Sequence, residues 1–587
     1  MKNHISFPGI ILFLMLTLLP CLAAAQFPGI NIDAGAQITT IGSSTIIITE
    51  GSFRNNGTLN TSEDNTLSFN GSLPQTIEGA SSSIFNDLIV LNTGGVVMSG
   101  GEKSVRRVLL CNGPLHTNGL LTLLSTESGT ALIDGTGTAP VSGEVTMQRY
   151  LSSGFGYKYF SSPFTAATVS EFGDDMDLAS SFPLFYRYDE SRTSSGWVAC
   201  STGTALLNPL EGYAVNFGAS GLPGTVDVTG EVNNGSLSVT LYNHDNTYTK
   251  GFNLVGNPYP SPVDWNKIRL LSTNVDDAVY YFRASTTDAF AGSYSTFING
   301  ISSDGVASNI IASMQAFFIH VTDGEWPVEG TLAMNNSVRV NTPNSVFLKS
   351  SATTQLNLIR ISASFSDNPD LADPTVIYFD HQATQDFDGR FDALKLMNTD
   401  SRIPSLYSES GNGNKLSINS LPPFSTGTLE VPLGIRTDMP GTVVFRLQAV
   451  DMALMLTDIY LYDTAVNKRQ AMMQNGEYSV TLPAGEHSNR FYLSFSYSLT
   501  DMLGPLIPDL DSFAAWHSGG VTTVVVKKTL RGGGSLLIHN LSGQILFEKQ
   551  IHESGRYDLH TDLSSGIYIV TYKSGTLKSS MKIVVMN

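Results

Sequence analysis

The sequence predicts an all-β protein made of several domains. Hydrophobic residues make up 41% of the 587 residues and charged residues only 14%, below the roughly 25% usual in soluble domains. Much of the remaining polarity comes from Ser, Thr, Asn and 54 glycines, which suit short strands joined by tight turns. Long amphipathic helices are almost absent. At roughly 100–200 residues per domain, the length predicts about three to five units.

The net charge argues against nucleic acid as a partner. The chain carries 33 basic and 51 acidic residues, a formal net charge of −18. Non-specific binding to nucleic acid needs Lys and Arg side chains that displace phosphate counterions, so a polyanion is a poor candidate. We attribute the acidity to solubility, with calcium binding as the alternative.

Residues 1–25 are predicted to be a secretory signal peptide. Lys2 supplies the positive start, an apolar run follows, and Ala23 and Ala25 are small residues placed for cleavage before Gln26. The apolar run is shorter than the roughly 20 residues that a membrane-spanning helix needs. No other segment of the sequence could span a membrane, so we expect no transmembrane segment in the mature chain.

Three cysteines do not form a disulfide framework. Cys21 lies in the predicted leader, where Pro20 before it disfavours the alternative of lipidation. Cys111 and Cys200 would remain, in regions that we predict to be different domains. Two buried, unreactive thiols are the favoured interpretation, and whether the two pair is left open.

Residues 26–145 repeat short apolar strands separated by Gly and Asn, such as 45–48, 66–69 and 88–91. A coil of this size cannot bury a face alone, whereas stacked coils cover one another. We predict a β-solenoid, or an irregular sandwich if the spacing is too uneven. The Gly and Asn positions are interpreted as turn residues.

Residues 146–335 are predicted to be a duplicated β-rich region. Each half would contain a strand ending at a Pro-fixed turn, an aromatic strand, a variable loop and a buried aromatic strand. Trp197 and Trp265 lie near these elements; a place in the core is favoured, with stacking on carbohydrate as the alternative. The matched blocks, in the same order, are 158–164 with 253–259, 185–188 with 279–282, and 210–215 with 314–319.

Residues 336–500 alternate apolar and polar side chains with period two, and polar turns separate the runs. This pattern predicts an antiparallel β-sandwich of immunoglobulin-like build. Residues 501–511, which contain two prolines, are predicted to be a linker. Residues 512–587 are predicted to be a separate small domain.

The C-terminal block carries the most specific pattern in the chain. It holds a strand, a Gly-containing turn and a second strand within 534–546, the run Leu-Ser-Ser-Gly-Ile-Tyr at 563–568, and a basic-then-aliphatic end at 578–585. Together these resemble the type A C-terminal sorting domain of cargo of the type IX secretion system of Bacteroidetes. His539 departs from the family, which often carries Tyr or Phe there.

The resemblance implies a small β-sandwich that the outer-membrane translocon recognises. A sorting peptidase would then remove it as the cargo is released or joined to surface lipopolysaccharide. The candidate sorting-signal residues are Gly543, Gly566, Tyr568, Lys578 and Lys582. The protein is accordingly expected to be secreted or held on the outer cell surface.

Period-two alternation gives a finer expectation for the C-terminal sheet. Ile567, Ile569, Val584 and Val585 are expected to face inward, as in a half-buried sheet. Lys578 and Lys582 are expected to flank the last strand.

No local motif of catalysis is present. The sequence lacks a G-x-S-x-G elbow, an H-E-x-x-H pair and a Gly-rich loop followed by Lys-Ser/Thr. A glycoside hydrolase needs only two suitably spaced carboxylates, which leave no local motif. We therefore predict a non-enzymatic adhesive or structural protein with a glycan or surface protein as ligand. A secreted carbohydrate-active enzyme or a glycan-binding accessory protein is the alternative.

No cofactor is predicted, and calcium is the one metal considered. Asp386, Asp388 and Asp392 lie in a short Gly-containing segment that resembles a calcium loop, although it lacks the terminal Glu of an EF-hand. A solvated turn in which Asp caps backbone amides is the favoured interpretation. Two further acidic clusters are Asp367, Asp370 and Asp373, and Asp174, Asp175 and Asp177.

Overall fold

Nearly every element of the computed structural model is a β-strand, which confirms the all-β prediction. Among the described residues, the helices are one short α-helix, Trp265–Ile268, and two 3-10 helices, Val169–Phe172 and Asn336–Val338. The predicted signal peptide with Ala23 and Ala25, and the predicted linker 501–511, lie outside the described residues. These are 28–200, 202–341, 358–423, 427–451, 456–473, 476–497, 513–518, 521–526, 534–540, 543–553, 555–574 and 577–585.

The described residues fall into two units. One takes most of the chain up to Ser494, and the other takes Phe495 onward with two short segments, 424–429 and 454–459. The finer domain boundaries at residues 145, 335 and 500 stay predictions.

The N-terminal region is a β-solenoid, as predicted. Two sheets are built from strands that pair in parallel with the next coil, so that Thr66 lies opposite Asp87 and Phe53 opposite Ile77. The first sheet contains Gly29–Ile32, Ser52–Asn55, Gln75–Glu78, Val96–Met98, Leu115–His116 and Val141–Ser142. The second contains Ser44–Thr49, Asn65–Asn70, Ser83–Val90, Lys103–Cys111, Leu121–Leu123 and Glu144–Leu151. Shorter strands are Gln37–Thr39, Thr58–Asn60, Ser125–Thr126, Gly129–Thr130 and Leu132–Ile133.

Buried asparagines and close-packed glycines hold neighbouring coils together. The side chain of Asn55 is fully buried and donates to the Ser82 carbonyl at 2.9 Å, one coil further on. Gly79 has φ 112°, and a Cβ there would lie 2.1 Å from the Asn55 carbonyl oxygen. Only glycine fits such a position, because both the backbone angle and the space exclude a side chain.

The central region is duplicated, as the three sequence blocks predicted. Four strands of the first repeat pair in the order Tyr157–Phe160, Tyr213–Asn216, Phe185–Tyr188, Trp197–Ala199. Four strands of the second repeat pair in the equivalent order Phe252–Gly256, Ala316–His320, Val279–Ala284, Gly292–Ile298, and Ile301–Ser302 extends that sheet. The remaining strands are Phe164–Thr165, Gly224–Val232, Leu237–Asn243, Val263–Asp264, Ile310–Ile311 and Val328–Met334.

The two repeats contact each other reciprocally. Phe160 bridges to Gln315, and the equivalent residues of the other repeat, Val255 and Glu211, also bridge. The same backbone feature recurs just before these residues, where Leu210 has φ 66° and Met314 has φ 58°. Such reciprocal contacts between equivalent positions are the pattern of a twofold relation, here within one chain.

Trp265 belongs to the core of the second repeat, so carbohydrate stacking on it is wrong. Its side chain is fully buried and its indole N–H donates to the Asp277 carbonyl at 2.7 Å. Its ring packs at 73° against Phe317. Buried Trp residues fill core volume that no small side chain can replace.

We expect Trp265→Ala to lower the free energy of unfolding by about 3–5 kcal/mol, the usual cost of removing a buried aromatic side chain. Chemical denaturation of the two proteins measures this difference. Trp326→Ala is the matched control, because Trp326 is 51% exposed and its loss should change stability by less than about 0.5 kcal/mol. Equal stabilities of the Trp265 variant and the parent would contradict a core role.

The region after the duplication forms one further sheet. Consecutive neighbours in it include Gly427–Thr437, Ser405–Glu409, Lys415–Leu421, Asp373–Phe379, Leu358–Phe365, Gly441–Asp451 and Glu477–Leu482. Its other strands are Ala393–Leu394, Leu456–Asp463, Lys468–Ala471 and Gly485–Tyr497. Among the described strand pairs of this sheet, pairing is antiparallel except that Val376 lies opposite Ile418 in a parallel pair. The predicted antiparallel arrangement does not hold for this pair, because the alternation of apolar and polar residues depends on burial and not on strand direction.

A buried ion pair in this region gives a pH-dependent contribution to stability. Arg490 contacts both carboxylate oxygens of the fully buried Asp463, at 2.9 and 2.8 Å, and the Tyr478 hydroxyl donates to it at 2.8 Å. Burial alone would raise the pKa of Asp463, but the Arg490 and Tyr478 hydrogen bonds outweigh burial and lower it. The contribution is thus present above the carboxyl's unfolded pKa and is lost as pH falls through the folded pKa.

We expect Asp463→Asn to be clearly less stable than the parent at pH 7, and the gap to shrink as the pH is lowered towards 3. Thermal unfolding of both proteins across this range measures the gap. A gap that is constant with pH would contradict the ionised state of Asp463.

The described residues within 512–587, called the C-terminal unit from here on, form a sandwich of two antiparallel sheets. One contains Phe513–Ser518, Val521–Val526 and Gly555–His560, and the other contains Ile545–Ile551, Gly534–Asn540, Gly566–Ser574 and Leu577–Val585. Buried side chains from both sheets, such as Val524, Val570 and Tyr572, form its core. This confirms the predicted small C-terminal β-sandwich.

The residues of the last two strands that face the core are in part not the expected ones. Val585 is buried, but Ile567 is 36% and Val584 is 51% exposed, and they form a cross-strand pair on the outer face. The inward residues of these strands include Tyr568, Val570 and Ile583. Adjacent residues of a strand point to opposite faces, so Val584 and Val585 could not both face the core.

Candidate functional site

An aromatic pocket lies between the two repeats of the central region. Its volume is about 430 Å³. Tyr157 and Tyr159 from the first strand of the first repeat, together with Trp197, line one side, and Phe282 and Tyr294 from the second repeat line the other. Alternate residues of a strand point to one face, which is why Tyr157 and Tyr159 both reach the pocket.

The rings of the pocket hold one another in place. Tyr159 stacks on Phe282 with centroids 4.8 Å apart and also contacts Trp197 at 5.8 Å. Phe182 and Phe290 meet edge to face at 5.3 Å and are 53% and 57% exposed. Aromatic contacts of this kind fix ring orientation, so the inner rings form a pre-organised surface and the two exposed rings form its rim.

Hydroxyl groups supply the polar part of the pocket. The Tyr159 and Tyr294 hydroxyls lie 3.2 Å apart, and Ser195 and Thr399 line the pocket at exposed positions. Burial raises the pKa of Tyr157 to about 12, with Tyr186 adding to the effect, so its hydroxyl is protonated at neutral pH. Among the described residues that line the pocket, none carries a charge.

The sequence pointed to only part of this site. Trp197, proposed as a possible sugar-stacking residue, lines the pocket. The other aromatic residues were missed, because they come from segments as far apart as 157 and 294. The alternating aromatic residues at Tyr157 and Tyr159 were the available signal.

The predicted calcium turn is held by protein donors. Asp388 accepts from the Arg390 guanidinium at 3.0 and 2.6 Å, a contact that lowers its pKa. Asp392 accepts from the Ser420 backbone N–H and hydroxyl, each at 2.6 Å, and burial raises its pKa to about 6. Asp386 is exposed. The calcium hypothesis stays a prediction that this geometry does not support.

The other acidic clusters also make local contacts. Asp373 forms a buried ion pair with Lys395 at 2.6 Å, and Asp177 accepts from the Ala179 N–H at 3.0 Å. Burial, together with nearby Asp174 and Asp227, raises the pKa of Asp175 to about 6. Within the described ranges, no group of three or more His, Cys, Asp or Glu side chains could hold a metal ion.

We expect millimolar calcium, the range in which extracellular calcium modules bind, to leave the melting temperature unchanged. The reason is that Asp388 and Asp392 already accept hydrogen bonds from protein groups. Differential scanning calorimetry with and without calcium tests this. A rise in Tm that Asp388→Asn removes would contradict it.

Both cysteines of the predicted mature chain are free thiols. Cys111 is buried in the solenoid, where burial raises its thiol pKa to about 12, and Cys200 is half-buried. A thiol that stays protonated is a poor nucleophile.

The candidate sorting residues lie in the C-terminal unit. Gly543 has φ 84° in the turn where its N–H donates to the Asn540 carbonyl at 3.0 Å, and Gly566 begins a strand. Tyr568 is buried, and its hydroxyl donates to the Ser564 carbonyl at 2.9 Å.

The two candidate lysines lie within the last strand and do not flank it, contrary to the expectation. Lys582 is exposed and lies opposite Ile569. Lys578 lies opposite Lys573 nearer the start of the strand, and its side chain is outside the described part of the chain.

Comparison with protein families identifies the two parts of the chain. The family model "Domain of unknown function (DUF8693)" matches residues 71–495. The chain belongs to this family. Residues 519–586 match the "Secretion system C-terminal sorting domain". The chain is therefore cargo of the type IX secretion system of Bacteroidetes, exported to the cell surface or secreted.

Similarity to individual proteins is more remote. Minor fimbrium subunit Mfa5 of Porphyromonas gingivalis (strain ATCC 33277) is 21% identical over 358 residues, which cover 57% of this chain and 27% of that protein. The match thus spans only about a quarter of the relative. A solved structure of the BSP domain of a biofilm associated protein aligns over 75% of this chain and 63% of its own, at 9% identity with a TM-score of 0.14, too low to indicate a shared fold.

No helix in the described ranges is long and apolar enough to cross a membrane.

Proposed function

We propose that the exported chain is a non-enzymatic binding protein of the cell surface with an adhesive or structural role. The observation that carries the proposal is the uncharged aromatic pocket of about 430 Å³ between the repeats. A pocket lined by fixed rings and hydroxyls can bind a ligand by burying its apolar surface.

The residues that line the pocket favour binding over hydrolysis. Glycoside hydrolases place two carboxylates on either side of the scissile bond, and no carboxylate is found among the described residues lining the pocket. Of the other residue types that serve in general acid–base catalysis, His, Lys and Cys are absent from the same lining and only Tyr is present. A secreted carbohydrate-active enzyme is therefore the less favoured alternative.

The similarity to a minor fimbrium subunit agrees with an adhesive role. It supports the proposal only to that extent, since the match covers 27% of that protein. The sorting domain agrees as well, because it brings the rest of the chain to the outside of the cell, where an adhesive pocket can meet its ligand.

Cell adhesion tests the proposal. Cells that lack the protein are complemented with the parent, with Trp197→Ala, or with the control Trp326→Ala, and surface amounts are matched by antibody. We expect attachment to a natural substratum to fall for the deletion and for Trp197→Ala, while Trp326→Ala behaves like the parent. Normal attachment without the protein, or turnover of a polysaccharide panel by the purified chain, would contradict the proposal.

A further inference from the structure

Because the central region is duplicated, the face of the first repeat that lines the pocket has an equivalent face in the second repeat. The sequence blocks and strand pairing make Tyr157, Tyr159, Tyr186 and Ala214 of the first repeat equivalent to Phe252, Leu254, Tyr280 and Phe318 of the second. Trp197 is equivalent to Tyr294, because each lies opposite the matching aromatic residue of its repeat, Tyr188 or Phe282. The two faces can therefore be compared position by position.

The face of the second repeat is covered by another part of the same unit. Phe252, Leu254, Tyr280 and Phe318 are 6%, 5%, 1% and 3% exposed, and they share a hydrophobic cluster with side chains of the following sheet, Leu358, Val376 and Ile418 among them. In the first repeat the equivalent tyrosines are only half-buried and line the open pocket. The rings of Tyr159 and Trp197 also contact Phe318 of the covered face, at 5.7 and 6.0 Å, so the two faces meet beside the pocket.

The side chains of the open face differ from those of the covered one at most of the compared positions, although Trp197, unlike its equivalent Tyr294, has no hydroxyl. Tyr157 and Tyr159 stand where the second repeat has Phe252 and Leu254, so the open face gains hydroxyl groups. Ala214 stands where the second repeat has Phe318, so a ring is replaced by a methyl group and space is left above the sheet. A face with rings, hydroxyls and space is matched to an amphipathic occupant, since buried hydroxyls need hydrogen-bond partners.

We propose that this pocket binds a neutral hexopyranose unit of a glycan. A pyranose ring has an apolar C–H face that can stack on an aromatic ring and a rim of hydroxyls that can exchange hydrogen bonds with Tyr, Ser and Thr. The uncharged lining excludes ion pairing as the source of affinity, which favours a neutral sugar over an acidic one. The volume of about 430 Å³ lies within the roughly 300–1,000 Å³ of small-molecule sites. This inference rests on the proposed binding function and names its ligand class.

Isothermal titration calorimetry of the purified exported chain tests the ligand class. The probes are maltohexaose, cellohexaose, mannohexaose and N-acetylchitohexaose, with a polygalacturonate oligomer of the same length as the charged counterpart. We expect at least one neutral oligosaccharide to bind, and the acidic oligomer to bind no better. Absence of binding by every neutral probe, or preference for the acidic oligomer, would overturn the proposal.

Pocket variants locate the binding. Trp197→Ala removes one ring and should weaken the affinity about tenfold. Ala214→Phe installs the residue of the covered repeat and should abolish binding by filling the space. Trp326→Ala, outside the pocket, is the control. If Ala214→Phe does not fold, Tyr157→Phe keeps the ring and removes only the hydroxyl, and it should weaken binding measurably. Unchanged affinity in Trp197→Ala and in the second variant overturns the assignment.

The failure of this inference can be told apart from failure of the proposed function. If attachment of cells depends on Trp197 but no neutral sugar binds, the ligand is a different one, such as an apolar protein segment, and only the sugar assignment falls. If a neutral sugar binds through Trp197 but attachment does not depend on the protein, the adhesive role falls and the sugar site stands.

Discussion

Removing residues 512–587 is expected to leave the protein inside the cell envelope. The C-terminal unit matches the secretion system sorting domain, and its two sheets enclose their own core of side chains such as Val524, Val570 and Tyr572. Loss of the unit removes the feature that the translocon recognises, while the solenoid and the duplicated region keep their own hydrophobic clusters. Fractionation followed by immunoblotting should show the shortened chain in the periplasm and none on the surface or in the medium.

A single substitution should reproduce this loss, because recognition needs a folded unit. Val570→Asp places a charge at a fully buried position between the sheets, where an unpaired carboxylate is strongly destabilising. Gln550→Ala, at an exposed position of the same unit, is the matched control and should be exported normally. Surface display of the deletion variant at the parent's level would show that export does not depend on this unit.

Lys395→Met is expected to be as damaging to the stability of the larger unit as the loss of the buried Trp265 side chain. The Lys395 ammonium and the Asp373 carboxylate lie 2.6 Å apart with side chains only 2% and 3% exposed, and Asp373 also accepts from the Leu406 N–H at 2.7 Å. Breaking a buried pair leaves an uncompensated charge, which costs about 3–5 kcal/mol. Urea unfolding of the purified protein measures the cost.

Two further variants separate the charge effect from loss of packing. Adding Asp373→Asn to Lys395→Met removes the stranded charge, so the double variant should be more stable than Lys395→Met alone. Lys415→Met is the control, because Lys415 and its partner Glu486 are 38% and 40% exposed, and exposed pairs contribute only about 0–1 kcal/mol. A double variant no more stable than the single one would mean that the pair is not charged.

The sequence predicted the parts of the fold that depend on local pattern. Gly and Asn recurring between short apolar runs indicated the solenoid, because those residues are needed where coils turn and pack closely, as at Gly79 and Asn55. Three matched blocks in order indicated the duplication, because equivalent strands keep equivalent aromatic residues. The motif of the C-terminal unit indicated its export role.

The direction in which strands pair, and the face of the sheet on which side chains lie, were harder to predict. The alternation of apolar and polar residues does not show that Val376 and Ile418 belong to strands that pair in parallel. For Ile567 and Val584, hydrophobicity suggested an inward face, but the neighbouring residues Tyr568, Ile583 and Val585 fill the core. A period of two shows which residues of a strand share a face, but not whether that face points to the core or to solvent. Hydrophobicity alone therefore assigned Ile567 and Val584 to the wrong face.

The pocket could not be predicted, because it depends on how two repeats meet. Tyr159 and Tyr294 are 135 residues apart, yet their hydroxyls lie 3.2 Å from each other. The acidic turn shows the opposite case: Asp388 and Asp392 are close in sequence, but Arg390 and Ser420 donate hydrogen bonds to their carboxylate oxygens. Proximity in sequence indicates a site only when no protein donor competes for it.

Fusing residues 512–587 to an unrelated reporter with a secretory signal peptide tests most directly whether the C-terminal unit carries the export address by itself. In a strain with the type IX secretion system, we expect the reporter on the cell surface or in the medium when the unit is intact. The same fusion with Val570→Asp should stay in the periplasm. Retention of the intact fusion in the periplasm, while the full chain is exported from the same cells, would contradict an address confined to these residues.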